Sequence, residues 1–427
     1  MSSAMYLLYN ILYALALAVM LPREYLKRPG QLRNRWFRER LGLPTVSPDV
    51  RGAIWVHAVS VGEVIASVPL IKGLKAMHPE RPIVISTVTD TGQKVANERL
   101  GDLAKIIYIP FDMTFAVANA FSRLRPSLFI IMETELWPVI IHFLKTRGVP
   151  VLLMNGRLSD KSVRGYRKLA FFFGRVLNDI SFFCMQNDIY AEKILSLGAA
   201  NANVAAIGNF KFDTRPPAPA PGWAGMLTRP VIVVGSTHNP EEEIVLDLFE
   251  RLAPEYTGLS MIIAPRHPER FNEVEEVVRK RKLRYVKRSE ITNIAQQSDA
   301  GGPSNAPLHT MVIILNAMGE LSSVYGAADI AVMGGSFIGH GGQNPLEPAY
   351  WGKPIVCGPH MENFPFINEF YLKGAAVSAD RDTLFGTVRK LLSSPETADN
   401  MGKSARTLYD RNAGATDRAL EIIRRFL

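Results

Sequence analysis

The sequence predicts an α/β protein of two doubly wound, Rossmann-like domains in tandem. Short apolar, β-branched runs alternate with helical stretches at spacings of about 20 to 30 residues, the mark of βαβ units on a parallel sheet. The alternation breaks once, at a proline-rich tract, and then begins again. A chain of 427 residues also exceeds what one core organises, and its 47% apolar residues suffice for two.

The first series comprises Ile54–His57, Ile83–Thr87, Ile106–Ile109, Leu128–Met132 and Val149–Met154. Pro216, Pro217, Pro219 and Pro221 then exclude a helix or central strand, so residues 214–228 read as a linker. The second series runs through Val231–Val234, Met261–Ala264, Val312–Leu315, Ile330–Met333 and Ile355–Cys357. Residues 49–213 and 229–427 are thus the two expected domains. The Ser-, Gly-, Asn- and Pro-rich stretch Gln297–Pro307 reads as a mobile surface loop. Ligands of open α/β sheets bind beyond the carboxyl ends of the strands, so two such domains facing each other would leave a cleft lined by those loops.

Ahead of the domains, Ala4 to Leu21 is an almost unbroken apolar run, near the minimum length for a membrane-spanning helix. Residues 1–22 read as an anchor, with Tyr6, Tyr9 and Tyr13 leaving a shallow interfacial seat open. A signal peptide carries its positive charge before the apolar run, whereas the first cation here is Arg23. Arg23, Lys27, Arg28, Arg33, Arg35, Arg38 and Arg40 place the rest of the chain in the cytoplasm by the positive-inside rule. Trp36, Phe37 and Leu41 interleave with these cations, so residues 23–48 read as a basic amphipathic segment on an anionic lipid surface. A buried core helix followed by a solvated face is the alternative.

A net charge of +9 points to an anionic partner: nucleic acid, anionic lipid or a phosphorylated substrate. The cations cluster beside the apolar run rather than among groove aromatics, which disfavours nucleic acid. Neither first βα turn carries Gly-x-Gly-x-x-Gly, which disfavours a dinucleotide dehydrogenase. Cys184 and Cys357 are isolated, so neither a disulfide framework nor a zinc site is expected, as suits a reducing compartment.

The chemistry-bearing motifs follow strands. In His57-Ala-Val-Ser-Val-Gly-Glu63, a carboxylate in a helix's first turn is kept ionised as a general base must be; Ser60 and Glu63 equally spell a capping box. In Glu133-Thr-Glu135-Leu-Trp-Pro138, acidic groups at a strand end call for a cation, a catalytic task or a helix to cap. Lys211, in Gly208-Asn-Phe-Lys-Phe-Asp213, faces the cleft or is an ordinary surface lysine. Gly235-Ser-Thr-His-Asn239 offers N–H donors and hydroxyls at a helix start, with Ser236 and Thr237 as candidate phosphate contacts. Ala264-Pro265-Arg266-His-Pro-Glu-Arg270 adds an arginine suited to phosphate, and Met318-Gly319-Glu320 follows another strand. In the glycine-rich run Gly334–Glu347, Asn344, Pro345 and Glu347 form a competent cap with Leu346 between them, and Glu347 could also accept hydrogen bonds from ribose hydroxyls.

Together, Ser60-Val-Gly-Glu63, Glu133-Thr-Glu-Leu-Trp-Pro138, Asn155-Gly-Arg-Leu-Ser159, Lys211-Phe-Asp213, Ala264-Pro-Arg-His-Pro-Glu-Arg270, Met318-Gly-Glu320 and Asn344-Pro-Leu-Glu347 resemble, in order and spacing, the Kdo (3-deoxy-D-manno-octulosonic acid) transferases of lipopolysaccharide synthesis. The resemblance implies a GT-B type glycosyltransferase fold with an N-terminal membrane anchor, CMP-Kdo as donor and a lipid A precursor as acceptor at the cytoplasmic face of the inner membrane. It implies no cofactor and no catalytic metal. By motif, Glu63 would be the general base and Glu133 and Lys211 the transition-state stabilisers. CMP would be held by Pro265, Arg266, Met318, Gly319, Glu320, Asn344, Pro345, Leu346 and Glu347. Another GT-B enzyme, such as a nucleotide-sugar epimerase or a transferase with a UDP donor, and a non-catalytic membrane-bound nucleotide sensor are the competing expectations, separable by donor competition and by turnover.

Overall fold

The computed structural model describes residues 2–46, 48–213, 218–291 and 310–427. The chain forms two compact units, Met1–Asp213 with Asn412–Leu427, and Thr214–Arg411. In the first, seven parallel strands stand in the order β3-β2-β1-β4-β5-β6-β7. These are β1 Ile54–His57, β2 Ile83–Thr87, β3 Lys105–Tyr108, β4 Leu128–Met132, β5 Val151–Gly156, β6 Phe182–Met185 and β7 Val204–Ala206. In the second the order is β10-β11-β9-β8-β12-β13-β14. Its strands are β8 Val231–Thr237, β9 Ser260–Pro265, β10 Tyr285–Lys287, β11 Met311–Ile314, β12 Ile330–Met333, β13 Ile355–Cys357 and β14 Ala376–Ser378.

The central strands are buried on both faces, as parallel sheets covered by helices require; β1, β4, β8 and β12 have no exposed residue. In each unit two apolar clusters flank the sheet: Trp55, Phe129 and Ile131 face one side of the first, Ile54, Val56 and Ile130 the other. Strand β5 starts at Val151 rather than Val149, because Pro150 has no N–H to give a ladder.

Three parts of the expected organisation change. Of the expected linker, residues 214–217 lie outside the described residues, as does Gln297–Pro307. The rest is folded: Gly222–Met226 is a 3₁₀ turn, Ala224 and Leu227 are buried, and the Trp223 indole N–H reaches Glu320 at 3.3 Å. Prolines stop helices and central strands, but here they shape a segment packed on the second unit.

The second domain also ends before residue 427. Helix Ala415–Ile423 belongs to the first unit, burying Ala415, Ala419, Ile422 and Ile423 beside Ile54 and Val56. Asp213 fixes it by accepting from the N–H groups of Gly414 (2.6 Å) and Thr416 (2.6 Å) at its start. The Lys-Phe-Asp motif therefore carries a helix cap as well as Lys211.

The segment 23–48, expected on a lipid surface, turns its main aromatic inward. In helix Gly30–Arg40, Trp36 is buried edge-on to Phe111 at 5.9 Å, with the Arg28 guanidinium 4.0 Å above its ring. Glu39 accepts from the Tyr108 N–H (2.7 Å), and Arg40 donates to the Ile109 carbonyl (2.8 Å). The physical reason is that individual charges find interior partners: Arg40 donates to a buried carbonyl, and Arg28 covers the indole with its planar face.

Candidate active site

Each strand order has a switch point at the centre of its sheet, between β1 and β4 in the first unit and between β8 and β12 in the second, whose order also exchanges β10 and β11 at one edge, and such central switch points open crevices at the carboxyl edge. The motif loops leave there. Glu63 follows β1 and Glu133 follows β4; Ser236 lies at the irregular carboxyl end of β8, and Gly334–Glu347 follows β12.

Helix Val61–Met77 begins with a variant of the capping box, in which Glu63 reaches the N–H of Val59, one residue before the Ser60 cap. The Ser60 hydroxyl accepts from the Glu63 N–H (3.4 Å) and donates to Glu63 Oε1 (2.9 Å), while Oε2 accepts from the Val59 N–H (2.8 Å). The carboxyl is nonetheless held up to about 7: burial dominates, the Val59 and Ser60 bonds oppose it, and the charges of Glu133 and Glu135 push further up. Capping and base chemistry are thus compatible in one side chain.

Glu133 sits at φ +54°, a left-handed backbone that costs a non-glycine residue on the order of 1–3 kcal/mol. Its N–H donates to the Met154 carbonyl (2.8 Å), and its carboxylate accepts from Arg157 Nε at 2.7 Å. Burial, then the Glu133 charge, raises Glu135 above the ordinary carboxylate range. Lys211 lies in the 3₁₀ turn Phe210–Asp213, which packs on helix Val61–Met77. That turn is pinned to the end of β5, since Asn155 Oδ1 accepts from the Phe210 N–H at 3.1 Å. The first unit therefore brings the Glu63, Glu133 and Lys211 segments to one edge of one sheet. Three buried polar atoms there have no protein partner among the described residues: His57 Nε2, Trp137 Nε1 and Asn155 Nδ2. Burial holds His57 down at about 3, so its ring is neutral.

In the second unit, adjacent strands β11, β9, β8 and β12 bring Met318–Glu320, Pro265–Arg266, Ser236 and Gly334–Glu347 to their carboxyl ends, Pro265 and Ser236 still within β9 and β8. The loops run close: a Cβ on Gly334 would lie 2.4 Å from the Ser236 carbonyl oxygen. Arg266 is anchored through its N–H on the Thr237 carbonyl (3.0 Å), leaving an exposed guanidinium. Glu347 is raised to about 7 by burial, with the Arg266 charge and the Asn344 side chain pulling down. Asn344 Oδ1 also accepts from the Leu346 N–H at 3.2 Å, beside the buried Pro345; helix Leu346–Tyr350 starts one residue later than expected, which puts Pro345 rather than Asn344 at the cap position. Met318 is exposed and Gly319 has φ +83°, while Glu320 already accepts from Arg288 at 2.8 Å. Thr237 is corrected as a phosphate contact, because its buried hydroxyl donates to Glu242 (2.7 Å); Ser236, at φ +59°, remains.

The family described as 3-Deoxy-D-manno-octulosonic-acid transferase (kdotransferase) matches residues 35–214. A 3-deoxy-D-manno-octulosonic acid transferase of Haemophilus influenzae is 34% identical over 383 residues, spanning 88% of this chain and 87% of that relative. This chain belongs to the Kdo transferase family. One from Bordetella pertussis is 31% identical over 390 residues, again covering 88% of this chain and 87% of the relative. In fold the transferase is similar to MurG of Acinetobacter baumannii, with a TM-score of 0.54 at 12% identity, over 88% of this chain and 99% of that one. The fold is the GT-B type.

Several residues beside these motifs escaped the sequence reading. Arg157, inside the quoted Asn-Gly-Arg motif, is the cation the strand-end carboxylate called for. His238 stacks on His340 at 4.5 Å and meets His267 edge-on at 5.5 Å. Burial, followed by those two histidines, Arg270 and Arg266, depresses the basicity of His238. Buried Glu241 accepts from the N–H groups of His238 (3.0 Å), Gly335 (2.6 Å) and Phe337 (3.0 Å), locking the β8 and β12 loops together. The run Glu241-Glu-Glu243 was the visible signal, readable only as helix N-terminal charge.

Proposed function

We propose that this Kdo transferase moves Kdo from CMP-Kdo to a lipid A precursor, lipid IVA, by inverting displacement at the cytoplasmic face of the bacterial inner membrane. The observation that carries the reading is Glu63: a buried carboxyl held near 7, beside Glu133 and Glu135, at the switch point of the first sheet. A base whose proton affinity matches the working pH transfers protons best. Glu63 takes the proton of the acceptor hydroxyl, whose oxygen attacks the anomeric carbon of Kdo from the face opposite the phosphate. The bond from that carbon to the phosphate oxygen breaks, and its electron pair leaves with CMP.

Glu133, held by Arg157, and Lys211 stabilise the charge that develops as this bond breaks. Arg266, the Ser236 loop and the 318–320 loop hold the CMP phosphate and base, and Asn344 through Glu347 take the ribose hydroxyls. The departing phosphate monoester matches the cations of this loop cluster, and the net charge of +9 suits two anionic substrates. Mass spectrometry of the product formed from CMP-Kdo and a tetraacylated lipid A precursor tests this. Product heavier by one or more Kdo groups is expected, and no transfer from CMP-Kdo by active protein sinks the reading.

A further inference from the structure

Helix Ser2–Leu26 includes the 23 residues Ala4–Leu26, whose most apolar 18 residues have a mean hydropathy of 2.0, long and apolar enough to cross a bilayer. At 1.5 Å per residue it is about 37 Å long. One side is fastened to the first unit along that whole length. Tyr6 donates to Asp179 (3.3 Å) and its ring lies flat on His142 at 4.0 Å. Tyr9 donates to the buried Asp112 at 2.8 Å, and Asn10 Oδ1 accepts from the Thr114 N–H at 2.9 Å. Further on, Tyr13, Leu17, Leu21 and Tyr25 pack on Trp36, Tyr108 and Phe111. The other side is bare: Leu7, Leu8, Ile11, Leu12, Leu15 and Val19 are each half exposed or more.

A helix attached in this way cannot cross a bilayer unless Asp112, Asp179 and His142 enter hydrocarbon with it, or its tyrosine hydroxyls abandon their acceptors. Each outcome is costly. We infer that the N-terminal helix does not span the membrane but lies in the plane of its interface, one face on the first unit and the other in a single leaflet of anionic lipid. This rests on the proposed action at a membrane and refines how the chain sits there.

The neighbouring surface fits that occupant. Phe172 stacks on Tyr9 at 5.8 Å, which brings helix Ala170–Asn178 alongside. Phe171 is 72% exposed there and Leu169 48%, and the preceding helix exposes Lys161, Arg164, Arg167 and Lys168. Cations rimming an apolar face are the composition that seats in the headgroups of an anionic leaflet.

Sidedness decides. Full-length protein carrying an epitope tag ahead of Met1 is expressed in a Gram-negative host, and protease is added to spheroplasts or to inverted inner-membrane vesicles. An in-plane helix leaves tag and body on one face, both cut only in inverted vesicles. Cutting of the tag in spheroplasts, with the body cut only in inverted vesicles, overturns the in-plane seat while the membrane reading stands. Flotation of the purified protein with phosphatidylglycerol-containing and pure phosphatidylcholine vesicles tests the occupant. Binding at least about tenfold stronger to the anionic vesicles, weakened by Arg167→Glu with Lys168→Glu and by salt, is expected. Soluble protein that floats with neither and forms a dimer dispersed by Leu12→Glu overturns both readings, since a second copy then covers the stripe.

Discussion

The two units solve opposite problems with one kind of group. Each places a carboxyl, pushed up to about 7 by burial, in the first turn of a helix beside its switch point: Glu63 in the first and Glu347 in the second. Their neighbours differ. Glu63 is surrounded by like charge from Glu133 and Glu135, which leaves it ready to take a proton. Glu347 lies within the field of Arg266, which pulls it back toward ionisation, as suits a group that accepts hydrogen bonds from a bound ligand. Burial sets the affinity in both, and the sign of the nearby charge separates base from binder.

The sharpest way to break this comparison is Glu63→Gln, which keeps the size and the capping acceptor but cannot take a proton at neutral pH. Transfer should fall about a hundredfold to ten-thousandfold, while CMP binding and thermal stability stay near wild type. Kdo transfer within a few-fold of wild type would move the base elsewhere, with Glu133 next. A smaller effect is expected in the second unit. Arg266→Ala loses hydrogen bonds to a charged phosphate worth about 1.5–3 kcal/mol, so the donor KM should rise roughly 10- to 100-fold. Glu347→Ala should raise it as well, and unchanged donor KM in both variants would place CMP elsewhere.

How much of this contrast could be read from sequence follows from which forces are local. The buried strands β1, β2, β4, β8, β12 and β13 are β-branched runs and declare themselves. The edge strands β7, β10 and β14 are three residues long and partly exposed, so no apolar run marks them. Interior β6, Phe182-Phe-Cys-Met185, contains no β-branched residue at all. The Ser60–Glu63 box is local and was legible with its spacing. The charges that tune Glu63 stand 70 residues away, and the return of helix Ala415–Ile423 depends on Asp213, so neither leaves a pattern in the chain. Trp36 and Arg40 misled because basic composition says nothing about which cations find buried carbonyls.

The pH dependence sharpens the contrast further. Glu63 is raised, so its proton is retained up to about pH 7 and the active base accumulates only above it. Lowering the pH below 7 should therefore cut kcat/KM about tenfold per unit, and the same limb should be absent from the residual activity of Glu63→Gln. Folding carries the opposite sign: a carboxyl raised above its unfolded value favours the folded state at low pH, and this contribution is lost as pH rises through about 7. Activity and this part of stability thus run against each other, and a kcat/KM that is flat from pH 6 to 8 would deny Glu63 its assigned role.

The smallest effect concerns Ser60, where the two tasks of Glu63 meet. The Ser60 hydroxyl donates to Glu63 Oε1 at 2.9 Å and accepts from its N–H, so it caps the helix and favours the ionised carboxylate together. Ser60→Ala should lower stability by about 1 kcal/mol, as the loss of an N-cap does. It should also move the acid limb of the rate profile to higher pH, because a donor that steadied the charged form is gone. At pH 7 transfer should then drop only about a few-fold, and at pH 9 it should return to the wild-type rate. A uniform loss at every pH would mean that Ser60 acts only through the fold. A shifted limb with an unchanged donor KM would tie the cap to the base, and would show that one hydroxyl sets both where the helix starts and when Glu63 can accept a proton.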